Sequence, residues 1–236
     1  YVEEDLHMVP DMSTIRKIPW NKEPTAQILC DLHYSTNEPS EIAPRQVLKN
    51  IIRLLDEKNL KAVVAPELEF YLCEQNLDPD LPLKTPVGKS GRRESGSRVF
   101  GIDAVNEFDE LTDQIYDYCE LMEIGVDTLV HEAGPSQIEI NLNHGDPLAL
   151  ADQAFMFKRA VRQVALKHGI HATFMAKPYQ GQPGSSMHIH QNLFAKKDNS
   201  NLFCDIDGNN TKEFLYFIGG LQTYLPDAML LFAPYV

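Results

Sequence analysis

The stretch VVAPELEFYL, residues 63–72, places two carboxylates inside an otherwise apolar run. Successive side chains of a strand point to opposite faces, so the apolar residues at alternate positions pack inward while Glu67, Glu69 and Tyr71 share the other face. Glu67 and Glu69 then stand about 7 Å apart, which is two strand rises. A single Glu-x-Glu pair is typical of a solvated strand face. Further motifs in the chain are therefore needed to show whether Glu67 and Glu69 have a catalytic or metal-binding role.

A second carboxylate pair lies in DTLVHEAGPSQIEINLN, residues 127–143, whose pattern predicts a β-hairpin. If Pro135 and Ser136 form a two-residue turn, Glu132 lies directly across from Glu139, with Cβ atoms about 5 Å apart. A longer Gly-Pro-Ser connection is the alternative. Like charges directly opposite each other destabilise a sheet unless something neutralises them.

A third strand is predicted for MHIHQNLF, residues 187–194, with His188, His190 and Asn192 on one face. Taken alone, the two histidines are more typical of hydrogen-bonded sheet residues. However, paired ionisable side chains occur in three predicted strand regions, which weakens that interpretation. Four carboxylates and one histidine suit Mg²⁺ or Mn²⁺, whereas zinc normally takes more His or Cys. Hard cations beside a carboxylate-lined sheet are common in phosphoryl transfer, where they neutralise phosphate charge. The chain has neither a Walker A pattern nor a Gly-x-Ser-x-Gly elbow, which excludes an ordinary P-loop.

Composition and charge narrow the class of protein. The chain has 236 residues, is 43% hydrophobic and carries a net charge of −13, which argues against nucleic acid or an anionic membrane as partner. Its four cysteines lie far apart and form no Cys-x-x-Cys pair, as expected for reduced thiols. No apolar run approaches the roughly 20 residues that span a bilayer, and the first residues lack the features of a signal peptide. We therefore expect a cytoplasmic protein.

The spacing of apolar residues, and the Gly and Pro residues between them, predict the strands and helices that position these side chains. The predicted strands cover 25–34, 63–72, the hairpin 127–143, 170–177 and 187–194, and the predicted helices cover 43–60, 104–124, 146–169 and 211–225. The expected apolar stripes are Val47, Leu48, Ile51, Leu54 and Leu55 on the first helix, and Phe108, Leu111, Ile115, Tyr118 and Met122 on the second, which Gly125 should end. The third helix should begin at Asp146 as N-cap with Pro147 next, and should end at Gly169. Residues 76–100, rich in Pro, Gly and Ser, predict a long loop.

Four motifs, in order, carry a resemblance to a known family. PELEFYL, HEAGPSQIEINL, KPYQGQPGSSMHIHQNL and LLFAPYV resemble the glutamine synthetase superfamily, and the resemblance covers nearly the whole chain from about Asp5 onward. VVAPELEFYL, PVGKSGR, AVNEFDEL and TFMAKPYQGQPGSSMHIHQ look closest to its γ-glutamylpolyamine branch, typified by γ-glutamylputrescine synthetase. The resemblance implies an α+β fold, in which a curved antiparallel β-sheet carries the metal site, helices pack outside, and both ends are truncated.

The resemblance also implies roles, position by position, for two or three metal ions and for ATP. Glu69, Glu132 and Glu139 match ligands of a first metal, which organises glutamate and its γ-phosphate. Glu67 and His188 match ligands of a second metal, which holds the ATP phosphates. Glu132, Glu139 and His190 are then the catalytic residues.

The same comparison of positions implies substrate contacts. Gly184 matches a residue of the glutamate-binding loop, and His190 matches a residue that contacts substrate or nucleotide. Asp127 and Asn192 fall at nucleotide-side positions. Pro183 stands where typical glutamine synthetases have Asn, which removes one amide contact to glutamate and favours an atypical amine ligase.

The resemblance further predicts the organisation of the protein. Residues 1–24 are expected to be a linker and remnant after a missing N-terminal β-grasp domain, and residues 25–236 a catalytic domain that is incomplete at its C-terminus. On that view the 236-residue chain is inactive by itself, because arginines and a last metal ligand would lie beyond it. The full-length protein is expected to form a homo-oligomeric ring, dodecamer-like, without nucleic acid or membrane as partner.

Three functions follow as hypotheses. The first is an ATP-dependent ligase that joins the γ-carboxylate of glutamate to putrescine or another polyamine through a γ-glutamyl phosphate. The second is a glutamine synthetase that uses ammonia, and the third is a non-catalytic structural or regulatory relative. Retention of all five predicted metal ligands argues against the third. Guanidino kinases have a related sheet but lack these motifs. The amine must be neutral to attack, so its site should contain a carboxylate or an aromatic cage.

Overall fold

The computed structural model describes residues 5–78, 80–96 and 98–232. The chain divides into two compact units, the first formed by Tyr1–Lys49 and Val64–His190 and the second by Asn50–Val63 and Gln191–Val236. The strands are β1 (His7–Pro10), β2 (Arg16–Lys17), β3 (Ala26–Gln27), β4 (Cys30–His33), β5 (Leu60–Glu74), β6 (Val126–His131), β7 (Gln137–Leu142), β8 (Ile170–Thr173) and β9 (Met187–Ala195). The helices are α1 (Pro44–Glu57), α2 (Ile102–Val105), α3 (Asp109–Leu121), α4 (Pro147–Lys167) and α5 (Lys212–Phe232).

The principal sheet has β5 at its centre. Its strand order is β6-β7-β5-β8, and β9 also pairs with β5. The β6–β7, β7–β5 and β5–β8 pairs are all antiparallel. Leu68 lies opposite Ile140 and Phe70 opposite Ile138, and these four side chains are essentially inaccessible to solvent. The predicted alternation of β5, with its apolar face inward, is confirmed, and so is the α+β class.

Helices α3 and α4 complete the core above that apolar face. All five residues of the stripe predicted for the second helix are buried in one cluster with the sheet residues. Helix α4 contributes Phe157, Val161 and Val164 to the same cluster. Because each large apolar side chain that is fully buried contributes about 1.5–3 kcal/mol, this cluster is the main source of stability of the sheet that carries the carboxylates.

Helix α4 begins and ends where the sequence predicts. The Asp146 carboxylate accepts hydrogen bonds from the backbone N–H groups of Leu148 and Ala149, both at 3.0 Å, and Pro147 occupies the first turn. Gly169, just after the helix, has a φ of +73°, which glycine adopts without steric cost. Together these features set where the helix begins and ends.

The predicted strand at 25–34 is wrong as a single element. It consists of two strands in different two-stranded sheets, because β3 pairs with β2 and β4 pairs with β1. Between them, the Leu29 N–H donates to the Thr14 hydroxyl at 2.9 Å, and the Leu29 carbonyl accepts from the Asp11 N–H at 2.9 Å. These bonds to the preceding segment interrupt the run of strand pairing.

Other element boundaries shift by a few residues. The helix predicted at 104–124 begins as α2, passes through a 3₁₀ turn at 106–108 and continues as α3. It ends before Gly125, because Glu123 already adopts a left-handed conformation with φ of +55°. Strand β8 is shorter than predicted, and α5 is longer, since it continues through Pro226 to Phe232. Among the described residues, no helix is long and apolar enough to span a membrane.

Helix α1 begins at Pro44, one residue after the predicted start, and ends at Glu57, three residues before the predicted end. Its apolar stripe does not form a core. None of its residues is buried, and Val47, Ile51 and Leu54 are 44–50% exposed. The four cysteines are free thiols, as the sequence predicts. Burial raises the pKa of Cys73 to about 11 and that of Cys119 to about 12, so these two thiols are poorly reactive.

A group of opposite charges, here called the Arg45 cluster, ties the entry segment to α1 and α4. The Arg45 guanidinium lies 2.7 Å from Asp11, 2.6 Å from Asp31 and 2.9 Å from Asp152, and Lys49 lies 2.5 Å from Asp31. A hydrogen bond from Ser13, followed by that from Arg45, lowers the pKa of Asp11 to about 2. Burial raises the pKa of Asp31, but the bonds from Lys49 and Arg45 outweigh it and the net shift is downward. Asp11 and Asp31 are therefore ionised and paired.

Candidate active site

The two carboxylates of β5 lie on one face, and each faces a polar residue of β7. Glu67 is opposite Asn141, and Glu69 is directly opposite Glu139. The side chains of Glu69 and Glu139 are nearly buried, since each residue is only 8% exposed. The structure thus contains a like-charge pair across two central strands. Such a pair costs stability unless a cation or protons compensate for it.

The predicted pairing of Glu132 with Glu139 is wrong. Val130 occupies the position opposite Glu139, and the Glu132 N–H donates to the Gln137 carbonyl at 2.8 Å. The connection is longer than two residues, because residues 133–136 lie between the ladder partners and Ser136 adopts a φ of +59°. The like-charge pair predicted for this region therefore exists, but the partner of Glu139 is Glu69.

Gly134 in this turn has a steric reason to be glycine. A Cβ at that position would lie 1.9 Å from the Tyr71 hydroxyl and within 2.6 Å of its ring carbons. The Tyr71 hydroxyl donates to the Pro183 carbonyl at 2.8 Å, which joins β5 to the loop before β9. Any larger residue at 134 would have to displace this ring and with it the β6–β7 turn.

Both predicted histidines of β9 contact Glu67. His188 Nδ1 lies 3.1 Å from Glu67 Oε2, and His190 Nε2 lies 2.8 Å from Glu67 Oε1. Both imidazoles are well exposed, at 62% and 65%. The sequence pattern predicted that these two histidines share a face of β9. Because they do, both rings reach the same carboxylate.

Glu69 is held by residues that no motif or pattern in the sequence had indicated. Its carboxylate accepts from the Ser186 N–H at 3.1 Å, from the Ser186 hydroxyl, and from Gln137 Nε2 at 3.0 Å. Gln137 also donates to the Gly184 carbonyl at 3.0 Å. Gln137 shares the face of Glu139 by the period of two along β7, which is the signal that would have found it. Ser186 lies in the loop before β9, where no periodicity applies.

The electrostatics of the site reflect crowded negative charge. Burial raises the pKa of Glu139, and the neighbouring Glu67, Glu132 and Glu69 raise it further. Burial raises the pKa of Glu67 as well, but the hydrogen bonds from His190 and His188 outweigh burial and hold its pKa below the usual value. Burial, followed by the charges of Glu69 and Glu132, raises the pKa of Tyr71 to about 12. We call Glu67, Glu69, Glu132 and Glu139 the glutamate cluster.

The donor set fits a hard divalent cation. Glu67, Glu139 and His188 each offer one ligand atom, and these atoms lie within 4.8 Å of one another. Among the described residues, no other group of three or more His, Cys, Asp or Glu side chains has its ligand atoms this close together. Glu69 and Glu132 do not belong to the group. Carboxylate oxygens with a single imidazole suit Mg²⁺ or Mn²⁺. A cation here would also remove the repulsion that raises the pKa of Glu139.

The other predicted site residues occupy three different places. Gly184 lies in the loop before β9, with room for no side chain, because a Cβ would come within 2.8 Å of the Ala176 carbonyl. Asp127 is an exposed residue of β6, and its carbonyl accepts from the Tyr116 hydroxyl at 3.4 Å. Asn192 belongs to the second unit, where its Oδ1 accepts from Asn201 at 3.1 Å.

A buried contact between Glu94 and His131, behind Glu132, was not predicted. Glu94, from the long loop at 76–100, lies 3.0 Å from His131 Nε2, and the side chains are 5% and 0% exposed. Glu94 Oε2 also accepts from the Ser136 N–H at 2.5 Å, and His131 Nδ1 lies 2.8 Å from the Glu132 carbonyl. Burial raises the pKa of Glu94, yet the bonds from His131 and Ser136 produce a net decrease. The loop is thereby fastened to the turn that follows Glu132.

Comparison of the sequence with known protein families identifies the family of this chain. The profile described as "Glutamine synthetase, catalytic domain" matches residues 41–236, most of the chain. The chain belongs to the glutamine synthetase catalytic-domain family. The resemblance that the motifs of the sequence carry is thus confirmed.

Two relatives within the glutamine synthetase family show how closely the chain matches. It is 35% identical to γ-glutamylputrescine synthetase PuuA of Escherichia coli (strain K12) over 236 residues, which are 99% of this chain and 50% of PuuA. It is 33% identical to a glutamine synthetase of Pyrococcus horikoshii over 219 residues, which are 93% of this chain and 46% of that enzyme. The chain therefore spans about half the length of these relatives.

Solved structures support the same fold. A structure titled "Apo GmaS without ligand" matches with a TM-score of 0.86 at 26% identity, and covers 100% of this chain and 53% of that one. A second structure, "GmaS/ADP complex-Conformation 1", matches with a TM-score of 0.83 at 25% identity, over 98% of this chain and 52% of that one. The glutamine synthetase catalytic-domain fold predicted for this chain is confirmed.

Proposed function

We propose that the protein is an ATP-dependent ligase that joins the γ-carboxylate of glutamate to an amine through a γ-glutamyl phosphate. The observation that carries the proposal is the glutamate cluster, because ligand atoms of Glu67 and Glu139 lie within 4.8 Å of each other and of one from His188, near two further carboxylates. Membership of the glutamine synthetase family and the likeness to a relative solved with ADP support it. Residues 25–236 are proposed to be the catalytic domain.

The protein side chains have distinct proposed tasks. Glu69, Glu132 and Glu139 would bind one Mg²⁺ or Mn²⁺ ion, and Glu67 with His188 a second. Such ions, when bound, neutralise charge on phosphate oxygens during phosphoryl transfer. Ser186 and Gln137 fix the Glu69 carboxylate in one orientation. Glu67 orients His190, for which we propose contact with substrate or nucleotide. Gly184 would line the glutamate site, and Asp127 and Asn192 the nucleotide site.

The acceptor we favour is putrescine or another polyamine. The support is the 35% identity to an enzyme named γ-glutamylputrescine synthetase and the presence of Pro183 on the loop before β9. Ammonia is the second candidate, because a glutamine synthetase is 33% identical to this chain. A ring of identical subunits remains part of the proposal for the whole protein.

Phosphate release by the complete protein tests the proposal. The reaction contains ATP, Mg²⁺ and glutamate, with ammonium, putrescine or spermidine in parallel vessels. We expect release that depends on glutamate and on an amine, with putrescine above ammonium. Higher release with ammonium would make the protein a glutamine synthetase in the strict sense.

A matched pair of variants separates the metal site from general damage. Glu67→Gln should lower phosphate release by at least about 100-fold, because it removes a proposed ligand and the anchor of two histidines. Glu57→Gln, at an exposed helix position, should leave the rate unchanged. Near-normal release by Glu67→Gln, or none with any amine by a metal-loaded wild type, would contradict the proposal.

A further inference from the structure

Helices α3 and α4 lie side by side on the apolar face of the principal sheet but differ in charge. Helix α3 contains five acidic residues and no lysine or arginine. Helix α4 contains four basic residues between positions 153 and 167 and no acidic residue in that range. Both helices belong to the first unit, contact each other and bury residues in the same core cluster. Their outward faces therefore form one surface with a basic half and an acidic half.

The two helices run antiparallel to each other. At one end, the Gly125 N–H, which follows α3, donates to Gln153 Oε1 near the start of α4 at 3.0 Å. At the other end, His168 Nε2, just after α4, lies 3.1 Å from Gln114 Oε1 on α3. Contacts at both ends thus hold the two outward faces next to each other along their length.

The outward face of α4 carries a set of residues that we call the basic stripe. Its members recur at i, i+3, i+4, i+7 and i+11, which is one side of a helix. Two of them are large apolar residues, 62% and 46% exposed, and the other three are cations. Within the residues that the structure describes, none of these cations forms a salt bridge. The members are Phe155, Lys158, Arg159, Arg162 and Leu166.

Aromatic rings, and not carboxylates, contact the cations of the basic stripe. Arg162 lies over the Phe174 ring, 5.2 Å from its centroid, and Lys158 Nζ lies 5.6 Å from the same centroid. Arg159 lies 5.5 Å from the centroid of the Trp20 ring. Burial, followed by the charge of Arg162, lowers the pKa of Lys158. Because a ring positions a cation without cancelling its charge, the basic stripe keeps its charge available to a partner.

The outward face of α3 carries a second set, the acidic stripe, at i, i+3, i+7, i+10 and i+11. All five members are exposed, and the apolar one among them is 53% exposed. Its four carboxylates form no salt bridge with a cation in the part of the chain that the structure describes. From first to last member, the two stripes have the same length, about 16 Å of helix. The members are Glu110, Asp113, Asp117, Glu120 and Leu121.

A second copy of the chain offers the complementary surface in the required arrangement. A two-fold axis that runs between α3 and α4, parallel to both, places the basic stripe of each copy over the acidic stripe of the other. The exposed side chains of Phe155, Leu166 and Leu121 would then leave water, and the charges would select the partner and its register. With a net charge of −13, two copies otherwise repel each other, so this local complementarity decides which faces meet.

We propose that the outward faces of α3 and α4 form an interface through which two copies of the protein pair about a two-fold axis. In this pair, Arg162 of each copy faces Asp117 of the other. The interface lies on the face of the sheet opposite the glutamate cluster and does not depend on the proposed ligase function. A ring of identical subunits is built from head-to-tail contacts, so the two-fold contact is additional to any ring.

Analytical ultracentrifugation of the complete protein tests the interface by charge reversal. At about 50 mM NaCl, Arg162→Glu should lower the mass of the assembly about two-fold, because it sets like charges opposite each other twice in every pair. Asp117→Lys should have the same effect. The double variant with both substitutions exchanges the two charges and should regain the mass of wild type. At about 500 mM NaCl, the wild-type pair should also weaken, since exposed charges are screened.

A matched control separates the interface from net charge. Lys197→Glu changes the net charge as much as Arg162→Glu does, at an exposed position outside both stripes, and should leave the mass unchanged. Thermal unfolding of each variant checks that it folds. An unchanged mass in Arg162→Glu, or a folded double variant that does not regain the wild-type mass, would overturn the inference. So would an unpaired wild type that binds poly-L-glutamate through Arg162, because the basic stripe would then serve a foreign acidic partner. Phosphate release, measured in parallel, tests the proposed function separately.

Discussion

The first unit contains two groups of carboxylates that obtain their neutralising charge differently. In the Arg45 cluster, a guanidinium from α1 makes salt bridges of 2.6–2.9 Å to three aspartates. In the glutamate cluster, no Lys or Arg among the described residues forms an ion pair, and the titratable bases in contact with a member are His188 and His190, both at Glu67. The Arg45 cluster is neutralised by a side chain of the protein, whereas the glutamate cluster lacks such a side chain and is suited to bind a metal cation.

The direction of the pKa shifts shows the same difference. The pKa values of Asp11 and Asp31 are lowered by partners within the chain. The pKa of Glu139 is raised, by burial first and then by the other glutamates. Acidic residues that only stabilise a fold are expected to resemble the Arg45 cluster. An acidic group left uncompensated inside a sheet is better explained by a function that uses its charge.

The largest expected effect is on the glutamate cluster. Glu139→Gln should lower metal-dependent phosphate release by at least about 100-fold, because it removes a ligand from the convergent group. Without metal, the same variant should be as stable as wild type or more stable, since the substitution removes like-charge repulsion across β5 and β7. Urea unfolding in EDTA measures the stability. A clear loss of metal-free stability would show that the glutamates are structural.

Removal of the internal cation should have the opposite signature. Arg45→Met leaves three partly buried aspartates without a guanidinium, so we expect the free energy of unfolding to fall by about 3 kcal/mol. Arg53→Met, which loses only an exposed pair with Glu57, should change it by less than about 0.5 kcal/mol. Equal effects of the two substitutions in urea unfolding would show that the Arg45 cluster stabilises the fold no more than an exposed ion pair does.

The pH dependence of stability sharpens the comparison. The folded-state pKa of Asp11 is lowered from 3.8 to about 2, and that of Asp31 is also lowered. Their contribution to stability is complete above the unfolded pKa and is lost as pH falls from about 4 toward 2. In Arg45→Met this loss should be smaller, although Ser13 still lowers the pKa of Asp11. Parallel curves for the two proteins between pH 5 and 2 would contradict this account.

The smallest expected effect concerns the second cation of the Arg45 cluster. Lys49 contacts only Asp31 in that cluster and is about one-third exposed. Because Asp31 keeps its bond to Arg45, Lys49→Met should cost no more than about 1 kcal/mol in the free energy of unfolding. A cost as large as that of Arg45→Met would mean that Lys49, and not the guanidinium, holds the cluster together.

Local pattern predicted the parts of this molecule that local interactions determine. The alternation of β5 placed Glu67 and Glu69 on one face, and the Asp146 cap and Gly169 stop fixed α4 to within two residues. The family motifs then predicted the fold, and the profile of that family matches residues 41–236. These features depend on neighbours in sequence or on motifs that are specific by themselves.

The features that the sequence did not predict depend on contacts between distant segments. The predicted register of β6 and β7 was wrong because turn length, and not strand pattern, sets it. The register of β5 with β7, which places Glu139 opposite Glu69, joins strands that are distant in sequence. The pair of Glu94 with His131 joins residues 37 positions apart, and no periodicity connects a loop residue to a strand. The Arg45 cluster joins helices and an entry segment in the same way.

Equilibrium binding of Mn²⁺ to the complete wild-type protein and to Glu139→Gln, without nucleotide, tests the central claim most directly. We expect saturable binding by wild type, a rise in its melting temperature with Mn²⁺, and loss of both in the variant, since a ligand bound to the folded state stabilises that state. An Arg45→Met protein that still folds should bind Mn²⁺ like wild type. Equal Mn²⁺ binding by wild type and Glu139→Gln, or none by either, would contradict the account.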